Sequence, residues 1–347
     1  MLRRVRVRGV VLMVGMTLTA VTMAACGSSG DSSTASGSAS SGPTKIKFGL
    51  TSVNMLYAPY VVGQSAGIFK KNNLDLSVVL TKDAATAETA VASKSTPIGA
   101  ITTDAIAIAH KAQPSVAIMF PVVNGTPYSL VTQAKYKKPQ DLKGAALAAS
   151  GLKTADGAII TTMLSNFGMK VNKDYSLLIA GDPAARTQSL LNGKSAGLAT
   201  PEPQLSLLKA KGFNALVNAA DIPGLATRPF NTIAVNRDWA KSNPQATVDF
   251  ETAWLQSVKY MYDPANKAAV VASLAKAFAT DPKIMDAAYQ DWMVDQQVYN
   301  KTCDTNVSGI QSVIDANKAA GNLTGDVPDP NSMLLGGDTC TKATAAG

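Results

Sequence analysis

Histidine is almost missing from this sequence: His110 is the only one in 347 residues. Cysteine is nearly as scarce, with three residues and no pair at the short spacing of a zinc site. Those two shortages exclude the usual metal centres, which draw several ligands from His and Cys. Charge is thin as well, with Asp, Glu, Lys and Arg making up 16% of the chain. Beyond the N-terminus, basic residues cluster only as pairs such as Lys70-Lys71 and Lys137-Lys138, which read as solvated faces. A chain so patterned offers no phosphate-binding track, which argues against nucleic acid as a partner. The Gly-x-x-x-x-Gly-Lys spacing is absent too, so nothing supports nucleotide hydrolysis.

What is present begins with an export signal. Arg3, Arg4, Arg6 and Arg8 precede a short apolar stretch from Val10 to Val21, and Met23-Ala24-Ala25 leads into Cys26. A basic start, a short apolar run and small residues at a cleavage point describe a secretory leader over residues 1–25. The run is too short to span a bilayer. Small residues before Cys26 resemble the bacterial lipobox, which implies a lipid on that cysteine; ordinary cleavage leaving a free thiol is the alternative. Residues 26–44 are nearly all Gly, Ser, Thr and Ala, a composition that cannot offset its own ordering entropy and reads as a tether. Four of the 32 basic residues lie in the leader, which has no acidic ones, so 28 face 24 and the exported chain carries about +4.

Removing Cys26 from the count leaves Cys303 and Cys340 in an oxidising compartment. Pairing between them would tie down the C-terminal segment, and two unrelated thiols are the other possibility.

From Lys45 onward, about 300 residues suit two lobes better than one core. Short strands alternate with helices: strands at Ile46–Leu50, Leu74–Leu80, Ile98–Ile101 and Val116–Val123, helices at Tyr60–Lys71, Ala84–Lys94 and Asp104–Lys111. The pattern restarts after Tyr128, with strands at Ala145–Ala149, Ser176–Ala180 and Ser195–Ala199 and helices at Ala155–Phe167, Pro183–Leu191 and Glu202–Lys211. Such alternation predicts an α/β fold with mostly parallel sheets flanked by helices. From Trp239 the chain turns helical, with Pro244–Tyr262, Ala265–Phe278, Pro282–Met293 and Asn306–Ala320 separated by Asp-Pro breaks.

This order resembles the type II periplasmic binding proteins, within them the group serving sulfonate, nitrate and thiamine-precursor importers. The stretch Ser65-Ala66-Gly67-Ile68-Phe69-Lys70-Lys71-Asn72-Asn73-Leu74 is similar to the family segment joining the first helix to the second strand. Asn73 replaces a family glycine there, and Asn is the next residue able to take a left-handed backbone. Asp141-Leu142-Lys143-Gly144, Leu190–Gly197 and Asn236-Arg237-Asp238-Trp239 resemble further family segments in the same order, although the usual acidic residue near Gly197 is absent. The resemblance implies lobe one at 45–125 plus 232–347, with the helical tail packed on it, and lobe two at 126–231. Extended crossovers would lie near Gly125–Gln133 and Arg228–Val235. It also implies hinge closure on a small ligand, delivery to an ABC permease in the membrane, a monomer, no cofactor and no catalysis.

Ligands of open α/β sheets sit beyond the carboxyl ends of strands, where helix N-termini present free N–H groups. That rule selects Asn54 and Tyr57 after the first strand and Thr102 and Thr103 after the third, with Asp104 as a cap. In the second lobe it selects Ser150, Gly151 and Thr154 after one strand and Glu202 after another. Gly125, Thr126 and Arg228 join the set at the crossovers. Each has a plainer role as cap, turn or core residue. His110, several residues into its helix, reads as a surface residue. Two other functions compete with transport: a binding module reporting to a membrane sensor, and an enzyme like eukaryotic relatives that make a thiamine pyrimidine with histidine and cysteine chemistry.

Overall fold

Alternating apolar residues start the fold: Ile46, Phe48 and Leu50 of the first strand are buried while Lys45 and Lys47 are exposed. A computed structural model describes residues 42–51, 54–152, 154–337, 340 and 342–343. The leader, Cys26 and nearly all of the tether lie outside the described residues. Thr44, expected to end the tether, is already the first residue of β1.

Strands β1 (Thr44–Leu50), β2 (Leu74–Leu80), β3 (Ile98–Thr102) and β4 (Val116–Pro121) belong to lobe one. Strands β5 (Ser129–Thr132), β6 (Ala146–Ala149), β7 (Ser176–Ile179), β8 (Gly197–Thr200) and β9 (Asn214–Asn218) form lobe two, and β10 (Asn231–Asn236) returns to lobe one. The two sheets run β2-β1-β3-β10-β4 and β7-β6-β8-β5-β9. In each, three parallel strands lie beside one antiparallel strand that arrives from the other lobe. Much of what the sequence suggested as crossover is therefore sheet. Ser129–Thr132 and Asn231–Asn236 are fully buried strands, and Asn231, expected in lobe two, opens β10. A buried run this short has no periodicity to reveal its neighbours, so tertiary pairing alone assigns it.

Helices α1 (Ala58–Ser65), α2 (Ile68–Lys71), α3 (Ala84–Ala92) and α4 (Thr103–Ala109) cover lobe one; α5 (Ala155–Ser165), α6 (Pro183–Leu191), α7 (Gln204–Ala210) and the short α8 (Pro223–Ala226) belong with lobe two. The single helix expected over Tyr60–Lys71 is broken at Gly67, whose φ of 69° is left-handed. Asn73 has φ 57°, so it does occupy the conformation its family counterpart leaves to glycine.

The tail holds α9 (Arg237–Ser242), α10 (Pro244–Tyr262), α11 (Lys267–Ala277), α12 (Pro282–Tyr289) followed by a π-helical turn Gln290–Asp295, and α13 (Val307–Ala319). Asp281 starts α12 by accepting from the Lys283 N–H at 2.8 Å, with Pro282 at the first position. The α10 face carrying Phe250, Ala253, Trp254, Val258 and Met261 packs on lobe one, and Phe250 lies 5.5 Å from Phe48 and 6.0 Å from Phe69 between ring centres. Each such buried aromatic stabilises by about 2–3 kcal/mol. The tail also reaches beyond lobe one, because α12 packs against α7 of lobe two. A disulfide joins Cys303 to Cys340 with Cα atoms 5.7 Å apart. No described helix is long and apolar enough to cross a membrane.

Candidate functional site

Both sheets share one switch point. In lobe one β1 lies between β2 and β3, and in lobe two β6 lies between β7 and β8. Chains leaving these strands in opposite directions open a crevice at their carboxyl ends. Thr51 and Thr102 mark that edge in lobe one, Ser150 and Thr200 in lobe two.

On lobe one, the Tyr57 ring is 1% exposed and its hydroxyl accepts from Asn231 Nδ2 at 2.9 Å, with Thr51 Oγ1 3.4 Å away. Burial raises the Tyr57 pKa against the opposing pull of those two partners. Asn231 pairs with Thr102 in the ladder, which places it on the crevice edge. Its amide oxygen Oδ1 is buried and has no hydrogen-bond partner among the described residues. A buried acceptor left unmet costs about 1–3 kcal/mol, which makes this atom a candidate ligand contact.

On lobe two, the turn after β6 is built around Asp156. Its Oδ2 accepts from the Ser150 N–H at 2.8 Å and its Oδ1 from the Ser150 hydroxyl at 2.6 Å. The Thr154 hydroxyl lies 2.7 Å from both Asp156 Oδ1 and the Gly151 carbonyl. Arg186, from the first turn of α6, donates to Ser150 Oγ at 2.9 Å and to the Gly181 carbonyl at 2.8 Å, and its Nε is 3.4 Å from Asp156 Oδ2. Burial works to raise the Asp156 pKa, but Ser150, Thr154 and Arg186 together hold it below the ordinary carboxylate value. Tyr128 stands between the two clusters. Burial pushes its hydroxyl up, while it feels Arg186, Asp156 and Tyr57 electrostatically, and its ring packs 5.0 Å from Phe230.

The expected site residues divide accordingly. Tyr57 follows the carboxyl end of β1, and Ser150, Gly151 and Thr154 follow that of β6. Asn54 caps the turn Met55–Tyr57 by accepting from Leu56 N–H at 2.9 Å, and Thr102 caps α4 by accepting from Ala105 N–H. Thr103 is fully buried and its N–H donates to the Phe230 carbonyl at 3.1 Å. Gly125 and Thr126 join one crossover to the other: Phe230 N–H donates to Gly125 O at 3.2 Å, and Thr126 N–H to Leu225 O at 3.0 Å. A Cβ on Gly125 would sit 2.2 Å from the Ala226 carbonyl oxygen, so glycine is required by this close approach. A third strand of the hinge comes from the tail, where Asn124 N–H donates to Val298 O and Asn300 N–H to Val122 O, both at 3.1 Å. Arg228 is half-buried beside Asp104, which in turn accepts from Asn317 of α13. Glu202 is 1% exposed and turned into α7, accepting from the Ser206 N–H at 3.0 Å and its hydroxyl at 2.8 Å. His110 lies at the far end of α4, 3.0 Å from the Ser332 hydroxyl.

Sequence reasoning missed Arg186, Tyr128 and Asn231. For Arg186 a signal existed: a cation in the first turn of a helix opposes the helix dipole and implies another purpose. Asn231 gave none, because its position depends on β10 entering the other sheet.

The profile of the family described as "NMT1/THI5 like" matches residues 54–268. The chain belongs to that family. Comparison with curated protein sequences finds no match. Among solved structures, the periplasmic aliphatic sulphonate-binding protein SsuA of Escherichia coli superposes with TM-score 0.70 at 16% identity, over 84% of this chain and 98% of its own. The periplasmic nitrate-binding protein NrtA of Synechocystis gives TM-score 0.67 at 16% identity, over 88% and 89%. The desulfurization enzyme DSZB gives 0.64 at 10% identity, over 87% and 99%. These likenesses establish the two-lobed periplasmic binding protein fold.

Proposed function

We propose that this family member is an extracytoplasmic solute-binding lipoprotein of an ABC importer, capturing a small organic anion or polar heterocycle between its lobes. Residues 1–25 would direct export, Cys26 would carry the lipid, and the stretch from there to Pro43 would tether a monomeric body to the outer face of the membrane. Lobe one, at 45–125 with 231–347, and lobe two, at 126–230, would close about the crossovers and present the loaded form to the permease. The observation that carries this reading is the pairing of complementary groups across the crevice. The Arg186 guanidinium, held by Ser150, Gly181 and Asp156, brings a fixed positive charge to lobe two; Asn231 Oδ1 offers a buried acceptor on lobe one. A ligand with an acceptor or anionic group at one end and an N–H or O–H at the other satisfies both. That requirement suits a substituted sulfonate or carboxylate, or a thiamine-precursor-like ring. Contacts from both lobes favour the closed state, as capture by hinge closure needs.

The placement of the chain's scarce reactive groups favours binding over catalysis. His110 lies at the distal end of α4, and Cys303 and Cys340 are joined in the tail. Thermal-shift measurements against sulfonates, carboxylates and aminopyrimidines test the proposal, since a ligand bound only by the folded chain raises its melting temperature. One class should raise it by several degrees at millimolar concentration, and Asn231→Ala should abolish the rise. A flat response to all three classes would remove the ground for a receptor.

A further inference from the structure

The strand that the tail adds to the hinge carries a side chain that reaches the turn after β1. Asn124 N–H donates to Val298 O, Asn300 N–H donates to Val122 O, and Val123 bridges Tyr299 in antiparallel register. Gln297 leads into this strand with a φ of 51°, a left-handed conformation uncommon for any residue but glycine. Val298 N–H then donates to the Trp292 carbonyl at 3.1 Å. Between the two hinge bonds stands Tyr299, fully buried. Its N–H donates to the Tyr262 hydroxyl at 3.0 Å, and its ring meets those of Tyr262 and Trp292 edge-on, with centres 6.5 and 5.9 Å away. Packing of that kind holds a ring in one orientation. In that orientation the Tyr299 hydroxyl donates to the Met55 carbonyl.

Met55 opens the turn Met55–Tyr57, and its carbonyl also accepts from the Ala58 N–H. Two residues on, the Tyr57 hydroxyl accepts from Asn231 Nδ2 at the crevice edge. Val123, Tyr299, Met55, Tyr57 and Asn231, all buried, thus form a continuous line from hinge to crevice. The turn's own bonds are local: Leu56 N–H donates to Asn54 Oδ1 at 2.9 Å and Tyr57 N–H to Asn54 O at 3.0 Å. A single short 3₁₀ turn has little rigidity of its own, so what holds it from outside decides where Tyr57 stands. We infer that Tyr299 is a positioning residue for solute capture: its hydroxyl fastens the turn that carries Tyr57 to the third strand of the hinge. A hinge movement that shifts Val298–Asn300 is carried to Tyr57 through that hydrogen bond. Tyr299 acts through Tyr57 and not on the solute. Its effect on binding rests on the receptor reading of the crevice, whereas the fastened turn is a property of the ligand-free chain.

Amide hydrogen exchange of the ligand-free full-length chain separates the two. Tyr299→Phe keeps the ring and removes only the hydroxyl. Exchange at Leu56, Tyr57 and Ala58 should then quicken about tenfold, the scale of one buried hydrogen bond, while β10 keeps its protection. Tyr289→Phe is the control, because it removes another tail hydroxyl, one that donates at 2.9 Å to the Met261 carbonyl of α10 rather than to the turn. It should leave the turn unchanged. Gly125→Ala, which forces the crossovers apart, should also quicken exchange at the turn, and should add nothing in the Tyr299→Phe background. A tyrosine that merely filled space would give additive effects. The inference is overturned by an unchanged turn in either Tyr299→Phe or Gly125→Ala, by an equal effect of Tyr289→Phe, or by additivity. For a solute found by its thermal shift, affinity should fall about tenfold in Tyr299→Phe. If the turn loosens but no solute binds, the receptor reading fails alone; if Tyr299→Phe binds a solute as the wild type does, the positioning role fails alone.

Discussion

Arg186 donates to the Ser150 hydroxyl across 2.9 Å, joining the helix after β7 to the turn after β6. Hydrogen bonds involving a charged group are worth about 1.5–3 kcal/mol, and the planar guanidinium is needed to reach Ser150, Gly181 and Asp156 together. Arg186→Lys keeps the charge and loses that fork. It should weaken binding of whichever solute raises the melting temperature by about 10- to 100-fold, measured by isothermal titration calorimetry. Arg186→Ala should in addition cost about 1–3 kcal/mol in urea unfolding, because Asp156 keeps only its hydroxyl and backbone partners. An alanine variant that binds normally would place the ligand elsewhere.

Gly125 permits the two crossovers to touch. A methyl group there would lie 2.2 Å from the Ala226 carbonyl oxygen, closer than any real Cβ contact, so the strands of the hinge must part. Gly125→Ala should destabilise the protein by about 1–3 kcal/mol in urea unfolding. Gly42→Ala, with open space around its position, should be neutral in the same assay. Equal stability of both variants would show that the hinge yields freely.

The local rules read best where punctuation was strong. Pro183–Leu191 and Pro244–Tyr262 have the predicted limits, because Asp182-Pro183 and Asn243-Pro244 set the starts. At Asp182 the side chain caps the helix by accepting from Ala185 N–H at 2.8 Å. The interruption at Gly67 and the π-helical turn after Tyr289 both fall inside stretches that read as continuous helix. Strands β5 and β10 could be seen as extended chain but not as sheet, for their partners lie up to 137 residues away in sequence, the distance from Val235 back to Ile98. The site followed the same division. Ser150, Thr154 and Tyr57 follow strands directly and were found by position, whereas Asn231 and Tyr128 enter the crevice through long-range pairing and were not.

The disulfide closes a loop of 37 residues around the start of α13 and the C-terminal segment. In the chain-entropy view, a cross-link of that span stabilises by about 4 kcal/mol. Cys303→Ser should therefore lower the melting temperature by several degrees, and reduction of the wild type should do the same. Ligand binding at the crevice should persist in the variant below its melting temperature, because neither cysteine touches Tyr57, Asn231 or Arg186. A reduced protein that melts with the oxidised one would mean that tail packing alone secures the segment.

Glu88 gives the fold a pH dependence. It is 1% exposed on α3, its Oε1 has no partner among the described residues, and burial pushes its pKa from 4.5 to about 7. The folded chain thus holds a proton that the unfolded chain releases between pH 4.5 and 7. Because the unfolded state binds fewer protons across that window, stability falls as pH rises through it and levels off outside it. The loss from this residue should be at most about 3 kcal/mol. Glu88→Gln, neutral at every pH, should match the wild type near pH 4 and exceed it increasingly up to pH 7, with a constant margin beyond. Urea unfolding of both proteins at half-unit steps from pH 4 to 8.5 measures the difference directly, and every other titrating group cancels because both proteins retain it. A margin that stayed flat across the series would mean that Glu88 ionises in the fold at the value it has in the unfolded chain.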